Sequence, residues 1–127
     1  MSPDEHMSLH DLQLRLKKFN AAREWGQYHS PRNLAMALSV EASELLELYL
    51  WSSDDGPQPP VKSRNDKVAE EAADVLICLL NFCERAGVDI LKATADKIRH
   101  NEQKYPTEQV RGRLEKHSEY PNDSAIE

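Results

Sequence analysis

Glycine is scarce in this sequence of 127 residues, with four in all, and most of it falls between segments of helical periodicity. Cysteine is rarer still. Cys78 and Cys83 are five residues apart on a predicted helix and point in different directions, so neither a disulfide framework nor a zinc site is expected. We interpret them as two buried thiols in a reducing cytoplasm.

Long apolar runs and a signal peptide are also missing. No segment approaches the ~20 apolar residues that a membrane span needs, so a cytoplasmic protein without a membrane partner is expected. Hydrophobic residues make up 39% and aromatic residues 6% of the chain, which supports one domain with a modest core. Chains this short are near the lower limit for burying enough apolar surface alone, so we expect an oligomer that shares its core.

Negative charge is what the sequence has in excess, with a formal net charge of -6. Nucleic-acid-binding modules usually present a basic face, so this balance argues against a nucleic acid polymer as partner. It does not exclude a nucleotide, which can be held through a metal ion.

Helical periodicity predicts an all-α fold with four helices, and no strand pattern competes with it. Ser8 can cap the first helix, and Ser30 followed by Pro31 is a start signal for the second. Gly87 suits the end of the third helix, and Asp89 can cap the fourth. The predicted helices run from Leu9 to about Trp25, from Pro31 to about Trp51, from a start between Ser63 and Asp66 to Ala86, and from Ile90 to about Tyr105.

Two segments are predicted to lie outside the helices. The stretch 52–60 is rich in proline and glycine and is predicted to be a loop. Residues after Pro106 are polar, and we expect them to be loosely ordered or to pack only on a partner. The sequence is therefore divided into a domain at 1–106 and a polar C-terminal tail at 107–127.

Four carboxylates fall on the apolar faces of helices two and three. Each residue advances ~100° around a helix, which places Glu41 in the middle of a leucine stripe and Glu44 at its edge. Glu71 and Asp74 repeat this arrangement on helix three. Burying unpaired carboxylates is unfavourable, and four of them together repel one another. Divalent cations that take oxygen ligands, such as magnesium, would offset both effects.

The residues alone leave two alternatives to a metal site open. In the first, some of the carboxylates would be protonated. In the second, the helices would be placed so that the carboxylates reach water as salt-bridged or surface groups. Charged residues make up 30% of the chain, so a single Glu-x-x-Glu pair means little. The repetition of the pair, each time on an apolar stripe, makes a metal site as well supported as these alternatives.

These residues resemble the signature of the MazG-like all-α nucleoside triphosphate pyrophosphatases. The resemblance rests on the run from Glu41 to Glu47, the proline-rich loop and the run from Glu71 to Ile77. Segments 23–34, 49–51 and 97–106 resemble the dCTP pyrophosphatase branch of that family.

The resemblance implies a four-helix subunit that assembles into dimers or a dimer-of-dimers tetramer. It also implies hydrolysis of a nucleoside triphosphate to monophosphate and pyrophosphate, as nucleotide-pool house-cleaning. The cofactor would be Mg²⁺, with Mn²⁺ as a substitute. The implied metal ligands and catalytic residues are Glu41, Glu44, Glu71 and Asp74.

A second set of residues is implied to bind the substrate. Three of them are spaced at i, i+4 and i+7 on helix four, and without the resemblance this stripe would be an ordinary solvated face. The tryptophans alone would be core or interface residues. The implied set is Lys97, Asn101, Lys104 and Tyr105 around the phosphates and sugar, and Trp25 and Trp51 around the base.

Two departures from the resemblance concern the base. Leu16 and Cys78 stand where the animal dCTP pyrophosphatases carry a histidine and a tyrosine. Both changes remove polar groups, which leaves dCTP, dATP and modified nucleotides open as substrates. An all-α dUTPase or a phosphoribosyl-ATP pyrophosphohydrolase is the alternative within the superfamily. Outside enzymes, the alternative is a helical dimeric interaction module that neither hydrolyses nucleotides nor is stabilised by metal.

Overall fold

The computed structural model describes residues 5–50 and 62–112, with side chains described from residue 66 in the second range. Every regular element in these ranges is helical, which confirms the predicted all-α class. A 3₁₀ turn at Trp25–Tyr28 lies between the first two α-helices. The helices are α1 Leu9–Ala22, α2 Pro31–Glu47, α3 Lys62–Ala86, α4 Ile90–Lys104 and α5 Thr107–Val110.

Side-chain caps begin three of the helices where the sequence predicted them. The Ser8 hydroxyl accepts from the Asp11 N–H at 3.1 Å, and the Asp11 carboxylate accepts from the Ser8 N–H at 3.0 Å. Ser30 caps α2 by accepting from the Asn33 N–H at 3.1 Å. Asp89 caps α4 in the same way. Each cap satisfies N–H groups that have no partner within the helix.

Two helices end earlier than predicted. The prediction of a first helix to about Trp25 is wrong because Glu24 adopts φ 52° and ψ 34°, which turns the chain after Ala22. This left-handed conformation is uncommon for a residue other than glycine. The prediction of a second helix to about Trp51 is also wrong. α2 ends at Glu47, and Tyr49 donates three residues back to the Leu46 carbonyl, which tightens the chain into a turn.

Smaller differences concern α3 and the segment after Pro106. α3 begins at Lys62, one residue before the predicted range, and Gly87 ends it as predicted, with φ 70°. The Val88 N–H donates to the Cys83 carbonyl at 2.9 Å, as in a Schellman cap. The loose segment predicted after Pro106 instead begins with the short helix α5. Trp51 and the loop 52–60 lie outside the described residues, as does the tail from 113 onward.

The described helices divide into two units, 1–88 and 89–127. In the first unit, α2 and α3 pack along one another, and α1 packs on α3. Its buried apolar residues are Leu34 of α2 with Leu80 and Cys83 of α3. In the second unit, Asp96 pairs with Lys92 at 2.8 Å and with Arg99 at 3.0 Å along α4. None of the described helices combines the length and hydropathy that crossing a bilayer requires.

Candidate functional site

The contact between α2 and α3 brings three of the predicted carboxylates together. One oxygen each of Glu41, Glu44 and Glu71 lies within 4.8 Å of the others, and we call this group the acidic cluster. Glu41 and Glu71 are half-buried and Glu44 is exposed. This order of burial follows the helical geometry, since the middle of each apolar stripe faces the neighbouring helix and its edge faces solvent.

Two oxygens of the acidic cluster have no partner. Oε2 of Glu41 and Oε2 of Glu71 are inaccessible to solvent and accept no hydrogen bond. Buried polar atoms without partners are rare in folded proteins because they forfeit their interactions with water. A divalent cation or a proton at this place would satisfy both oxygens.

The electrostatics of the acidic cluster favour the neutral form of its buried members. Burial raises the pKa of Glu41, and the hydrogen bond with Glu44 and the charges of Glu44, Asp74 and Glu71 raise it further. Burial also raises the pKa of Glu71, followed by the charge and hydrogen bond of Glu44. Ionised carboxylates this close to one another repel, so a proton or a cation at the acidic cluster would relieve the repulsion.

Asp74 lies beside the acidic cluster rather than within it. Its oxygens are outside the group of mutually close ligand atoms, and its side chain is exposed at the edge of the α3 stripe. Its negative charge nevertheless raises the pKa of both Glu41 and Glu71. Cys78 is a neighbour on the same helix: burial raises its pKa, and the charges of Glu41 and Asp74 add to the effect.

The acidic cluster suits a hard divalent cation. It offers only carboxylate oxygens, which magnesium and manganese prefer as ligands, and two of those oxygens are otherwise unsatisfied. Magnesium usually keeps several waters, so Asp74 can take part through a water from the edge of the group. The residues that could hold the ion are therefore Glu41, Glu44, Glu71 and Asp74.

Trp25 is held at the surface by the end of α1. Its ring meets Phe19 edge to face, with centroids 5.5 Å apart and planes at 75°. The Arg23 guanidinium lies 3.7 Å from the centroid of the Phe19 ring and also donates to the Phe19 carbonyl at 3.1 Å. With 44% of its surface exposed, Trp25 has a ring able to stack on a planar ligand.

The predicted phosphate-binding stripe belongs to the second unit. Lys97 and Lys104 are exposed on α4, and Asn101 and Tyr105 are half-buried. The Lys104 ammonium lies 5.6 Å from the centroid of the Tyr105 ring. These four residues therefore form one local group of cationic and polar side chains.

A pair of amides in the first unit was not predicted from the sequence. Asn20 of α1 donates through Nδ2 to Oδ1 of Asn81 on α3 at 2.9 Å, and both are half-buried. A signal was available, because Asn81 interrupts the otherwise apolar run 75–83 and a polar residue in such a run needs a partner. The identity of that partner depends on how α1 packs, which the local sequence does not specify.

Known proteins are similar to this chain in sequence and in fold. A model of the MazG-like family matches residues 36–119. The dCTP pyrophosphatase 1 of Rattus norvegicus is 38% identical over 122 residues, which are 94% of this chain and 72% of that protein. The dCTP pyrophosphatase 1 of Homo sapiens is 37% identical over the same shares of each protein.

A solved structure extends the comparison to three dimensions. The crystal structure of a pyrophosphatase from Archaeoglobus fulgidus matches with a TM-score of 0.67 at 36% sequence identity, covering 80% of this chain and 95% of the other. The fold and the acidic cluster define an all-helical protein with a site suited to a divalent cation. Within that class, the chain belongs to the MazG-like family. These relatives support a nucleoside triphosphate pyrophosphohydrolase function and identify the chain as a hydrolase.

Proposed function

We propose that this chain is a magnesium-dependent enzyme that hydrolyses a deoxynucleoside triphosphate to the monophosphate and pyrophosphate. The observation that carries the proposal is the pair of buried, unsatisfied carboxylate oxygens of Glu41 and Glu71 in the acidic cluster. The rodent and human relatives named for dCTP support a dNTP as the substrate class.

The proposed metal ligands are Glu41, Glu44, Glu71 and Asp74, with Mn²⁺ as a substitute for Mg²⁺. When bound, such an ion neutralises charge on the triphosphate and lowers the pKa of a coordinated water. A carboxylate of the acidic cluster would orient the attacking water and take its proton. The water oxygen bonds to the α-phosphorus, the bridging bond to the β-phosphate breaks, and pyrophosphate leaves with the electron pair.

The remaining residues would bind the substrate. Lys97 and Lys104 would neutralise phosphate oxygens as point charges, with Asn101 and Tyr105 near the sugar. Trp25 would stack on the base, supported by its exposed ring. Trp51, which lies outside the described residues, is proposed for the same pocket because of the resemblance.

The proposed enzyme is a homodimer or homotetramer. Only Leu34, Leu80 and Cys83 are buried apolar residues in the described part of the chain. A groove of about 350 Å³ between α1 and α3 is lined almost entirely by apolar side chains. Open apolar surface of this kind marks interaction sites. The catalytic domain at 1–106, the tail at 107–127 and a cytoplasmic house-cleaning role complete the proposal.

The test combines a metal titration with substitutions of the proposed metal ligands. Glu41→Gln and Asp74→Asn should lower kcat by more than about a hundredfold, since even outer partners of metal ligands contribute 10- to 100-fold. Glu47→Gln is the matched control, because Glu47 is an exposed glutamate at the end of the same helix. Full activity of Glu41→Gln or Asp74→Asn, or equal turnover in EDTA and in magnesium, would contradict the assigned site.

A further inference from the structure

The segment that carries Trp25, which we call the tryptophan turn, comprises residues 24–29 and contains a strained backbone. Glu24 adopts φ 52° and ψ 34°, a left-handed conformation that persists only where surrounding contacts hold it. The turn closes through a hydrogen bond from the His29 N–H to the Gly26 carbonyl at 3.2 Å. The place of the Trp25 ring therefore depends on the contacts that hold the two ends of this segment.

The first end of the tryptophan turn is held by α1. The Trp25 ring meets the Phe19 ring edge to face, with centroids 5.5 Å apart. The Arg23 guanidinium lies on the same Phe19 ring, 3.7 Å from its centroid. These contacts fix the Trp25 ring directly to α1, whereas the helices of the acidic cluster can fix it only through other contacts.

The second end of the tryptophan turn is tied to α3 by Arg85. Arg85 donates through Nε to the His29 carbonyl at 2.8 Å, and this hydrogen bond joins residues 56 positions apart. Hydrogen bonds with a charged donor are stronger than those between neutral groups. Arg85 follows Asn81 by about one turn, and Asn81 accepts from Asn20 of α1 at 2.9 Å. The Arg85 side chain therefore leaves α3 on the side that faces α1.

The helix that holds the tryptophan turn also carries two of the proposed metal ligands. Glu71 and Asp74 lie about three to four turns before Arg85 on α3, which is one continuous helix. A nucleotide with its phosphates at the metal ligands and its base on Trp25 needs these groups at a fixed separation. The bond from Arg85 connects the turn to the helix that sets this separation.

We propose that Arg85 is a positioning residue of this enzyme: through the His29 carbonyl, it sets where the Trp25 ring lies relative to the metal ligands of α3. Arg85 acts on the backbone and does not touch the substrate. Its loss leaves the metal ligands in place and displaces the stacking group, so substrate binding weakens while the chemical step keeps its rate. This inference rests on the proposed function, in which Trp25 stacks on the base.

A purely electrostatic role for Arg85 predicts different behaviour. A cation in the last turn of α3 interacts favourably with the negative end of the helix dipole. Arg85→Gln and Arg85→Met both remove this charge. The amide nitrogen of glutamine is bonded to Cδ, as Nε of arginine is, and keeps an N–H donor at that place. Methionine has a side chain of similar length and no donor.

The kinetic test compares these two variants in the full chain, with magnesium and the dNTP that the wild type hydrolyses fastest. Arg85→Met should raise KM by about five- to a hundredfold with kcat unchanged, because stacking of one base on an aromatic side chain contributes that range. Arg85→Gln should stay within about threefold of the wild-type KM.

Lys17→Met is the matched control for the loss of a cation between the same two helices. Lys17 of α1 pairs with Glu84 of α3 at 3.3 Å, next to Arg85 in the sequence, and makes no contact with the His29 carbonyl. The variant should leave both KM and kcat unchanged.

A second measurement follows the Trp25 ring without substrate. The chain contains two tryptophans, so ¹⁹F NMR of protein labelled with 5-fluorotryptophan should give two signals, and Trp25→Phe identifies the one from Trp25. Arg85→Met should shift the Trp25 signal and leave the Trp51 signal in place. Arg85→Gln should leave both signals as in the wild type.

The outcomes separate this inference from the proposed function. Wild-type behaviour of Arg85→Met, or equal changes in Arg85→Met and Arg85→Gln, would overturn the positioning role alone. A raised KM with an unchanged Trp25 signal would also overturn it, because Arg85 would then act on the substrate directly. A wild type that releases no pyrophosphate from any nucleotide would overturn the proposed function, and the ¹⁹F spectra would still decide whether Arg85 holds Trp25.

Discussion

Glu41 and Glu71 are the two half-buried carboxylates of the acidic cluster. Each is half-buried, each has one oxygen without a partner, and both have a raised pKa. Without a cation, the fold must either protonate these groups or tolerate repulsion among them. The residues that prepare the site for a metal therefore destabilise the metal-free protein at neutral pH.

Replacing Glu41 by glutamine should raise the melting temperature in EDTA. A raised folded-state pKa means that the native protein binds more protons than the unfolded chain. The stability that depends on this proton is present below the ordinary glutamate pKa and is lost as pH rises through the raised value. The gain from Glu41→Gln should therefore be small at about pH 5 and larger at about pH 8. A lower melting temperature than wild type at the higher pH would contradict this reasoning.

The sequence predicted how the site residues are arranged within each helix. The alternation of central and edge carboxylates follows from ~100° per residue, and the structure has the same order of burial. The pairing of Asn20 with Asn81 could not be predicted, because it links residues 61 positions apart. It depends on the angle at which α1 meets α3.

At the scale of the elements, helix starts were predicted more accurately than helix ends. A start is encoded by a few adjacent residues, such as Ser8 with Asp11 or Ser30 with Pro31. The end of α1 depends on the left-handed backbone of Glu24, which no local rule assigns to glutamate. That conformation begins the 3₁₀ turn carrying Trp25, so the error in the helix boundary falls at a proposed substrate-binding residue.

On α4, Lys97→Ala should weaken triphosphate binding without affecting the fold. Lys97 is exposed, and removing one charge from a phosphate site should raise KM about five- to tenfold while the melting temperature stays constant. Lys92→Ala on the same helix is the control, because Lys92 pairs with Asp96 at 2.8 Å. Equal KM values for both variants would contradict the assignment of α4 to the phosphates.

At the scale of the whole molecule, the small core is the dominant feature. Phe19, Leu76 and Ile77 are between 38 and 41% exposed, and all three line the apolar groove between α1 and α3. A short chain with so few buried residues gains stability by sharing apolar surface with another copy. Composition alone led to the expectation of an oligomer, but only the packed helices reveal which surface is available for it.

Leu76→Glu should shift the protein towards monomers in sedimentation velocity at micromolar concentration. The substitution places a charge in the proposed interface, where it would lose its water. Leu14→Glu is the control, since Leu14 is exposed and points about 200° away from the groove residues Leu12 and Leu16 on α1. A Leu76→Glu protein that sediments like the wild type would exclude the groove as the interface.

The most direct test of the central claim is ³¹P NMR of the products formed from the four dNTPs, with magnesium and with EDTA. We expect equal amounts of monophosphate and pyrophosphate in magnesium, no orthophosphate, and no reaction in EDTA. Orthophosphate with a diphosphate would contradict attack at the α-phosphorus. If a folded, magnesium-loaded sample forms no product, the proposed pyrophosphohydrolase activity is contradicted and the helical interaction module is favoured.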